Sequence, residues 1–195
     1  MGQQLKKLYL QEIIKEKIKN QASLLKKNNK IDGYEMLLKY FDEVEPNDLT
    51  CKESYAAKVY FNDLFGPDFI RRADIFPNNC LNYGYMILLS AFNREIVASG
   101  YLTQIGIHHC NEFNYFNLSC DFIEPYRPFV DELALTVKAE DQDFKRTMRK
   151  ILTGKVKIRG EETSVEKSVG IYLHSIYNSF DTGNLILNFP SNYEL

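Results

Sequence analysis

The chain has 195 residues, 45% hydrophobic and 26% charged, and its 24 Lys and Arg against 26 Asp and Glu leave a formal charge of −2. That length buries a sizeable core in a domain of ordinary size, and thirteen Tyr with thirteen Phe exclude a disordered, low-complexity chain. No apolar run reaches the roughly 20 residues that a membrane span needs, no signal-peptide core opens the chain, and any nucleic-acid surface must be local rather than a coat of positive charge.

The periodicity predicts a helix from Leu5 to about Lys27, with Leu8, Ile13, Ile14, Ile18 and Ala22 on one side. Eight lysines between Lys6 and Lys30, against only Glu12 and Glu16, make this the most basic stretch, either a solvated face or a DNA contact. Asn28 to Gly33 breaks it. A short helix follows over Tyr34–Val44, then a loop at Glu45–Asp48, then a helix over Glu53–Phe65 closed by Gly66-Pro67-Asp68. Phe69–Pro77 is irregular and carries Arg71-Arg72. Asn78 or Asn79 is placed to cap a long apolar helix to about Ser99, the buried centre of the fold.

Beyond Gly106-Ile107-His108-His109 and a polar-aromatic connector (Asn111–Asn117), a helix from Leu118 to about Lys138 is interrupted by Pro125 and Pro128. Another, from Gln142 to Leu152, bears Lys145, Arg146, Arg149 and Lys150. Lys155–Arg159 alternates in the strand period with Gly160 as its turn, and Thr163-x-x-Glu166 reads as the capping box of a last helix through Phe180. The tail Leu185–Phe189 is expected to be extended. The fold class is mainly α, a multi-helix domain with a small β-element near the C-terminus.

The four cysteines (51, 80, 110 and 120) form no C-x-x-C pair, and the spacing of His108, His109, Cys110 and Cys120 does not suit a zinc knuckle. Reduced thiols in a cytosolic protein are the plain reading. Chemistry concentrates at Phe122-Ile-Glu-Pro-Tyr-Arg-Pro128. A proline inside a helix costs about 3 kcal/mol, so the kink has a local purpose. Asp121 and Glu124 lie three residues apart, on one helix face, and two carboxylates on a buried helix need a cation. Arg127 or a metal ion would serve equally. Glu53, one of His108 and His109, and Glu124 together supply two carboxylates and an imidazole on three separate helical segments. Such a set suits Mg²⁺ or Mn²⁺, the imidazole favouring Mn²⁺. Glu-x-x-His pairs, H-E-x-x-H, and the P-loop, Rossmann and nucleophile-elbow motifs are all absent.

Four motifs in order, Glu53-Ser-x-Ala-Ala-x-x-Tyr-Phe, Asn78-Asn-x-Leu-Asn-Tyr-Gly-Tyr, Gly106-Ile-x-His109 and Leu118-x-x-Asp121-x-x-Glu124-Pro-x-Arg-Pro128, resemble the C-terminal helical domain of the CRISPR-associated Cas-one integrase family, closest to the type II systems. The basic first helix, with Lys17-x-Lys19-Asn20-Gln21-Ala22, resembles that family's linker helix. The resemblance implies a metal-dependent DNA endonuclease and integrase that joins the 3′ ends of a prespacer duplex to a CRISPR repeat. It implies Glu53, His109 and Glu124 as catalytic metal ligands for Mg²⁺ or Mn²⁺, and Asp121 as an accessory carboxylate. His109 rather than His108 keeps the 15-residue spacing to Glu124. Arg71 and Arg72, between ligand-bearing helices, are the first candidates for phosphate contact. The expected partners are double-stranded DNA, a small Cas-two-type protein and a second copy in the full-length family, in a prokaryotic cytoplasm and away from membranes. Residues 1–30 correspond to the linker-type helix and 31–195 to the catalytic domain, with the family's N-terminal β-domain absent. A truncated, non-catalytic module that binds DNA or a protein is the alternative.

Overall fold

The computed structural model describes residues 3–141 and 143–194. Among them are eight α-helices: α1 (Gln3–Lys27), α2 (Ile31–Asp42), α3 (Lys52–Phe65), α4 (Phe76–Ala98), α5 (Asn117–Phe122), α6 (Arg127–Leu135), α7 (Phe144–Met148) and α8 (Val165–Thr182). Three 3₁₀ turns, Pro46–Asp48, Glu124–Tyr126 and Arg149–Leu152, lie between helices or extend them. A three-stranded antiparallel sheet of β1 (Lys155–Ile158), β2 (Glu161–Ser164) and β3 (Ser191–Glu194), in the order β2-β1-β3, lies near the C-terminus. The mainly helical architecture with its late β-element is the one the periodicity predicts.

α1 is buried on two sides, wider than the single stripe expected. Tyr9 and Ile13 enter the larger core with Leu81, Leu88 and Phe92 of α4, Phe122 of α5, Val130 and Leu133 of α6 and Tyr172 of α8. Leu10, Ile14, Ile18, Ala22 and Leu25 form a second core with Leu37, Ala56 and Tyr60. Each such buried side chain contributes about 1.5–3 kcal/mol of transfer free energy, so α1 is held as firmly as any core helix. Asn20, buried on α1, donates from Nδ2 to the carbonyls of Pro125 (2.9 Å) and Pro190 (3.2 Å). The helix is thereby stapled to the proline-kinked turn that carries Glu124.

Several boundaries differ from the pattern-based reading. α4 starts at Phe76, with Pro77 in its first turn, where the missing N–H costs nothing. Asn78 does not cap it; its Nδ2 turns back to the carbonyls of Ile70 (2.8 Å) and Ala73 (2.8 Å) and closes the preceding connector. The stretch after Leu118 is no single kinked helix: Pro125 breaks it into α5, a 3₁₀ turn and α6. The expected start at Gln142 lies outside the described residues, and the α-helical part before Leu152 is only Phe144–Met148. Ser164, not Thr163, caps α8, accepting from Lys167 N–H at 3.3 Å, because β2 runs on through Ser164 and the helix starts at Val165. Leu185–Phe189 forms no strand; the third strand is Ser191–Glu194. The β1–β2 turn, Arg159-Gly160, has positive φ at both residues (53° and 82°), the conformation a two-residue hairpin demands.

Candidate active site

Glu53 stands in the first turn of α3. Asp48 makes that turn: its carboxylate accepts from the backbone N–H of Lys52 (2.8 Å) and of Glu53 (3.1 Å). Cys51, in the left-handed region at φ 53°, swings the chain into the helix. Glu124 opens the 3₁₀ turn created by Pro125. Both acidic side chains reach one cation. Lys17 Nζ, on α1, lies 2.6 Å from Glu53 Oε1 and 2.5 Å from Glu124 Oε2, and the lysine and Glu124 side chains are each only 12% exposed. Glu124 Oε1 accepts from Arg127 Nε at 2.7 Å, while its Oε2 faces the Lys17 ammonium and no other donor among the described residues. Burial works to raise the Glu124 pKa, but Arg127 and Lys17 outweigh it and hold the carboxyl below its ordinary range.

Lys17 therefore does not belong to a solvated or DNA-facing side of α1. Nor are its neighbours uniformly free: Lys19 pairs with Glu16 and Lys27 with Glu132, and Lys15 and Lys26 lie over the rings of Phe41 (5.5 Å) and Tyr34 (5.1 Å).

Asp121 turns away from Lys17 and organises the loop that bears the histidines. Its Oδ2 accepts from the backbone N–H of Ile107 (2.6 Å) and His108 (3.0 Å); its Oδ1 accepts from His109 N–H (3.1 Å) and contacts His109 Nδ1 (2.6 Å). His109 thus sits on a loop between α4 and α5, not on a helix. That loop needs Gly106: a Cβ there would meet the His109 carbonyl at 2.2 Å and Asp121 Oδ2 at 2.9 Å. The hydrogen bond to Asp121 raises the His109 pKa against the opposing effect of burial, and the charges of Asp121, Glu124 and Glu53 add to the rise. His108 is exposed and its ring has no such partner among the described residues.

Beside Glu124 opens a cleft of about 440 Å³ lined by Lys17, Gln21, Arg71, Arg72, Arg127 and Tyr85, with Asp131 at its base. Arg71 donates to Asn82 Oδ1 (2.9 Å) and Asn78 Oδ1 (3.3 Å), and Arg72 is exposed. The guanidinium groups of Arg127 and Arg71 lie 4.6 and 5.1 Å from the centre of the Tyr85 ring. Asp131, 1% exposed, accepts from Tyr60 Oη (2.7 Å) and from Tyr85 Oη; burial pushes its carboxyl up to about 6, against the lowering effect of these hydrogen bonds. His109 borders a neighbouring hollow instead, with Gln104, Cys110 and Asn114.

The structure thus joins Glu53 and Glu124 through Lys17, places His109 within their electrostatic reach, and sets Asp121 behind His109. Among the described residues, no three His, Cys, Asp or Glu side chains are gathered as a ready-made metal site. Sequence reasoning missed Lys17, Tyr85 and Asp131 as parts of this site. A signal existed for Lys17, which falls between Ile13 or Ile14 and Asn20, Gln21 or Leu24 at helical spacing, on the buried face.

A family model described as "CRISPR associated protein Cas1" matches residues 3–159. The CRISPR-associated endonuclease Cas1 of Neisseria meningitidis serogroup C (strain 8013) is 37% identical over 131 residues, covering 67% of this chain and 43% of that protein. A partial Cas6-RT-Cas1–Cas2 complex superposes with a TM-score of 0.77 at 18% identity, over 100% of this chain and 70% of the matched one. A casposase bound to integration product gives 0.70 at 19% identity, over 95% of this chain and 62% of the matched one. At these identities the structures show a shared fold. The chain spans about half the length of the curated relatives it matches.

Proposed function

The chain belongs to the Cas1 family of CRISPR-associated proteins, and on that premise we propose that it is a metal-dependent DNA endonuclease and integrase domain, acting on phosphodiesters of duplex DNA in the prokaryotic cytoplasm. The observation that carries this reading is the convergence of Glu53 and Glu124, from separate elements, on one cationic position at the edge of an arginine-lined cleft.

The residues fit a hard divalent ion. Glu124 Oε2 is a buried carboxylate oxygen that faces a cation, Lys17, and no other donor among the described residues, and His109 has Nδ1 committed to Asp121, which leaves Nε2 to ligate in the carboxylate–histidine arrangement typical of metal ligands. Glu53, His109 and Glu124 would hold Mg²⁺ or Mn²⁺. When bound, the ion polarises a phosphoryl oxygen and stabilises the charge that develops as a 3′-hydroxyl attacks in line. The chain's own side chains do the rest. Arg71 and Arg72 hold the DNA backbone in the cleft, Arg127 keeps Glu124 ionised and oriented, and Asp121 fixes the tautomer of His109.

In this reading residues 1–30 are the linker-type helix and 31–195 the catalytic part. The substrates are a prespacer duplex and a CRISPR repeat, and the assembly involves a Cas2 protein and a second copy. That a Cas1–Cas2 complex and a casposase on its product share the fold supports this. A non-catalytic binding module is the second reading, favoured by the ammonium of Lys17 on both carboxylates. A strand-joining assay, with short duplexes bearing 3′-hydroxyl ends and a plasmid carrying a repeat, separates them. Glu53→Ala should abolish Mn²⁺-dependent joining while retaining most duplex affinity. Joining at the wild-type rate in that variant would remove the catalytic assignment. Salt-dependent duplex binding with no joining by the wild type, with or without a Cas2 protein, would establish the second reading.

A further inference from the structure

We propose that Lys17 is an exchangeable counter-ion of this site: its ammonium holds Glu53 and Glu124 together until a divalent cation replaces it, and Gln21 Oε1 is the seat to which it moves. The inference rests on the metal-site reading above.

Three observations carry it. The first is the sharing. The surface pairs Lys155–Glu162 and Lys27–Glu132 each join one cation to one acid, whereas the ammonium of Lys17 touches an oxygen of each of two acids from different elements, and does so in a largely buried position. The second is redundancy. Glu124 keeps Arg127 on its other oxygen when the lysine leaves, and Oε2 has no donor besides Lys17 among the described residues, so that oxygen is freed for an incoming cation. The third is a destination. Gln21 follows Lys17 by four residues on α1, is 2% exposed and lines the same cleft, and its Oε1 has no hydrogen-bond partner among the described residues. Residues four apart on a helix are neighbours, so rotation of the flexible lysine stem brings Nζ to an acceptor without moving α1. A doubly charged ion gains more from two carboxylates than an ammonium does, which makes the exchange favourable.

The test is a Mn²⁺ titration of the 195-residue chain, read by electron paramagnetic resonance of the free ion, on the wild type and on Lys17→Met, Lys17→Arg, Gln21→Leu and Glu124→Gln. Lys17→Met should bind Mn²⁺ roughly tenfold or more tightly, because a unit positive charge leaves the ion's neighbourhood. Lys17→Arg should bind more weakly than the wild type, since a guanidinium forks across both carboxylates and is harder to displace. Gln21→Leu should also bind more weakly, having removed the lysine's second seat. Equal or weaker binding by folded Lys17→Met overturns the proposal. Should Lys17→Met fold only with Mn²⁺, the exchange is supported. Should it not fold at all, wild-type affinity in both Lys17→Arg and Gln21→Leu overturns it, and weakening in both supports it. Equal affinity of the wild type and Lys17→Met, abolished in Glu124→Gln, leaves the metal site standing and removes the role of Lys17. No Mn²⁺ binding by any form removes both.

Discussion

His109 Nδ1 lies 2.6 Å from Asp121 Oδ1, and the same carboxylate holds three successive backbone N–H groups of the histidine loop. One buried acid thus sets the loop's path and the ring's orientation together. Asp121→Asn keeps the shape but loses the charge and one acceptor. It should weaken Mn²⁺ binding about 10- to 100-fold, the usual cost of removing an outer partner of a ligating histidine. Isothermal titration with Mn²⁺ checks this, and unchanged affinity would detach Asp121 from the site.

The two adjacent histidines should separate cleanly. His108→Ala removes an exposed ring and should leave Mn²⁺ affinity and strand joining within about twofold, since exposed substitutions away from special contacts are near neutral. His109→Ala removes the ring set by Asp121 and should abolish joining. The opposite pattern would show that the register is off by one.

Asp131 makes stability depend on pH. Burial raises its carboxyl to about 6, so between about pH 4 and 6 the folded chain keeps a proton that the unfolded chain has released. Stability is therefore full below the unfolded value and falls as pH rises through 6, by about 3 kcal/mol for a shift near two units. Glu124, held low, acts in the opposite direction and at lower pH: its contribution is lost as pH falls below the ordinary carboxylate range. Denaturant unfolding of the wild type and Asp131→Asn from pH 4 to 7 should show that the difference between them changes steadily across that window. A constant difference would mean that Asp131 is ionised throughout.

Arg71 and Arg72 should differ although adjacent. Arg72→Glu should weaken binding to all duplex sequences alike and reduce the slope of log affinity against log salt by about 0.9 for each phosphate it no longer neutralises. Arg71→Ala should in addition lower the melting temperature, because Arg71 ties its connector to Asn78 and Asn82 and covers the Tyr85 ring. Electrophoretic mobility shifts at several salt concentrations, with thermal melts alongside, measure both effects.

Much of this protein follows from local pattern. The helical period of α1, α3, α4 and α8 and the alternation of β1 follow from spacing, since a residue's face is set by its position modulo 3.6 or 2. Asp121 and Glu124 were likewise visible as carboxylates beside a proline kink, and Glu53 and one of the two adjacent histidines as residue types, whereas the choice of His109 rested on the family resemblance. Partner choice was not visible. That Asp121 faces His109 rather than Glu124 depends on how the histidine loop folds back, and that Lys17 joins Arg127 on Glu124 depends on α1 packing against a distant turn, as Asn20 does with Pro125. Thr163 carried the capping signature, yet β2 runs on through Ser164 and α8 starts at Val165, so the cap falls one residue later. The basic run of α1 reads as surface because lysine is ordinarily exposed. Only the second core, which wraps α1 from its other side, turns Lys17 inward, where two carboxylates from distant parts of the chain offset the cost of burying its charge.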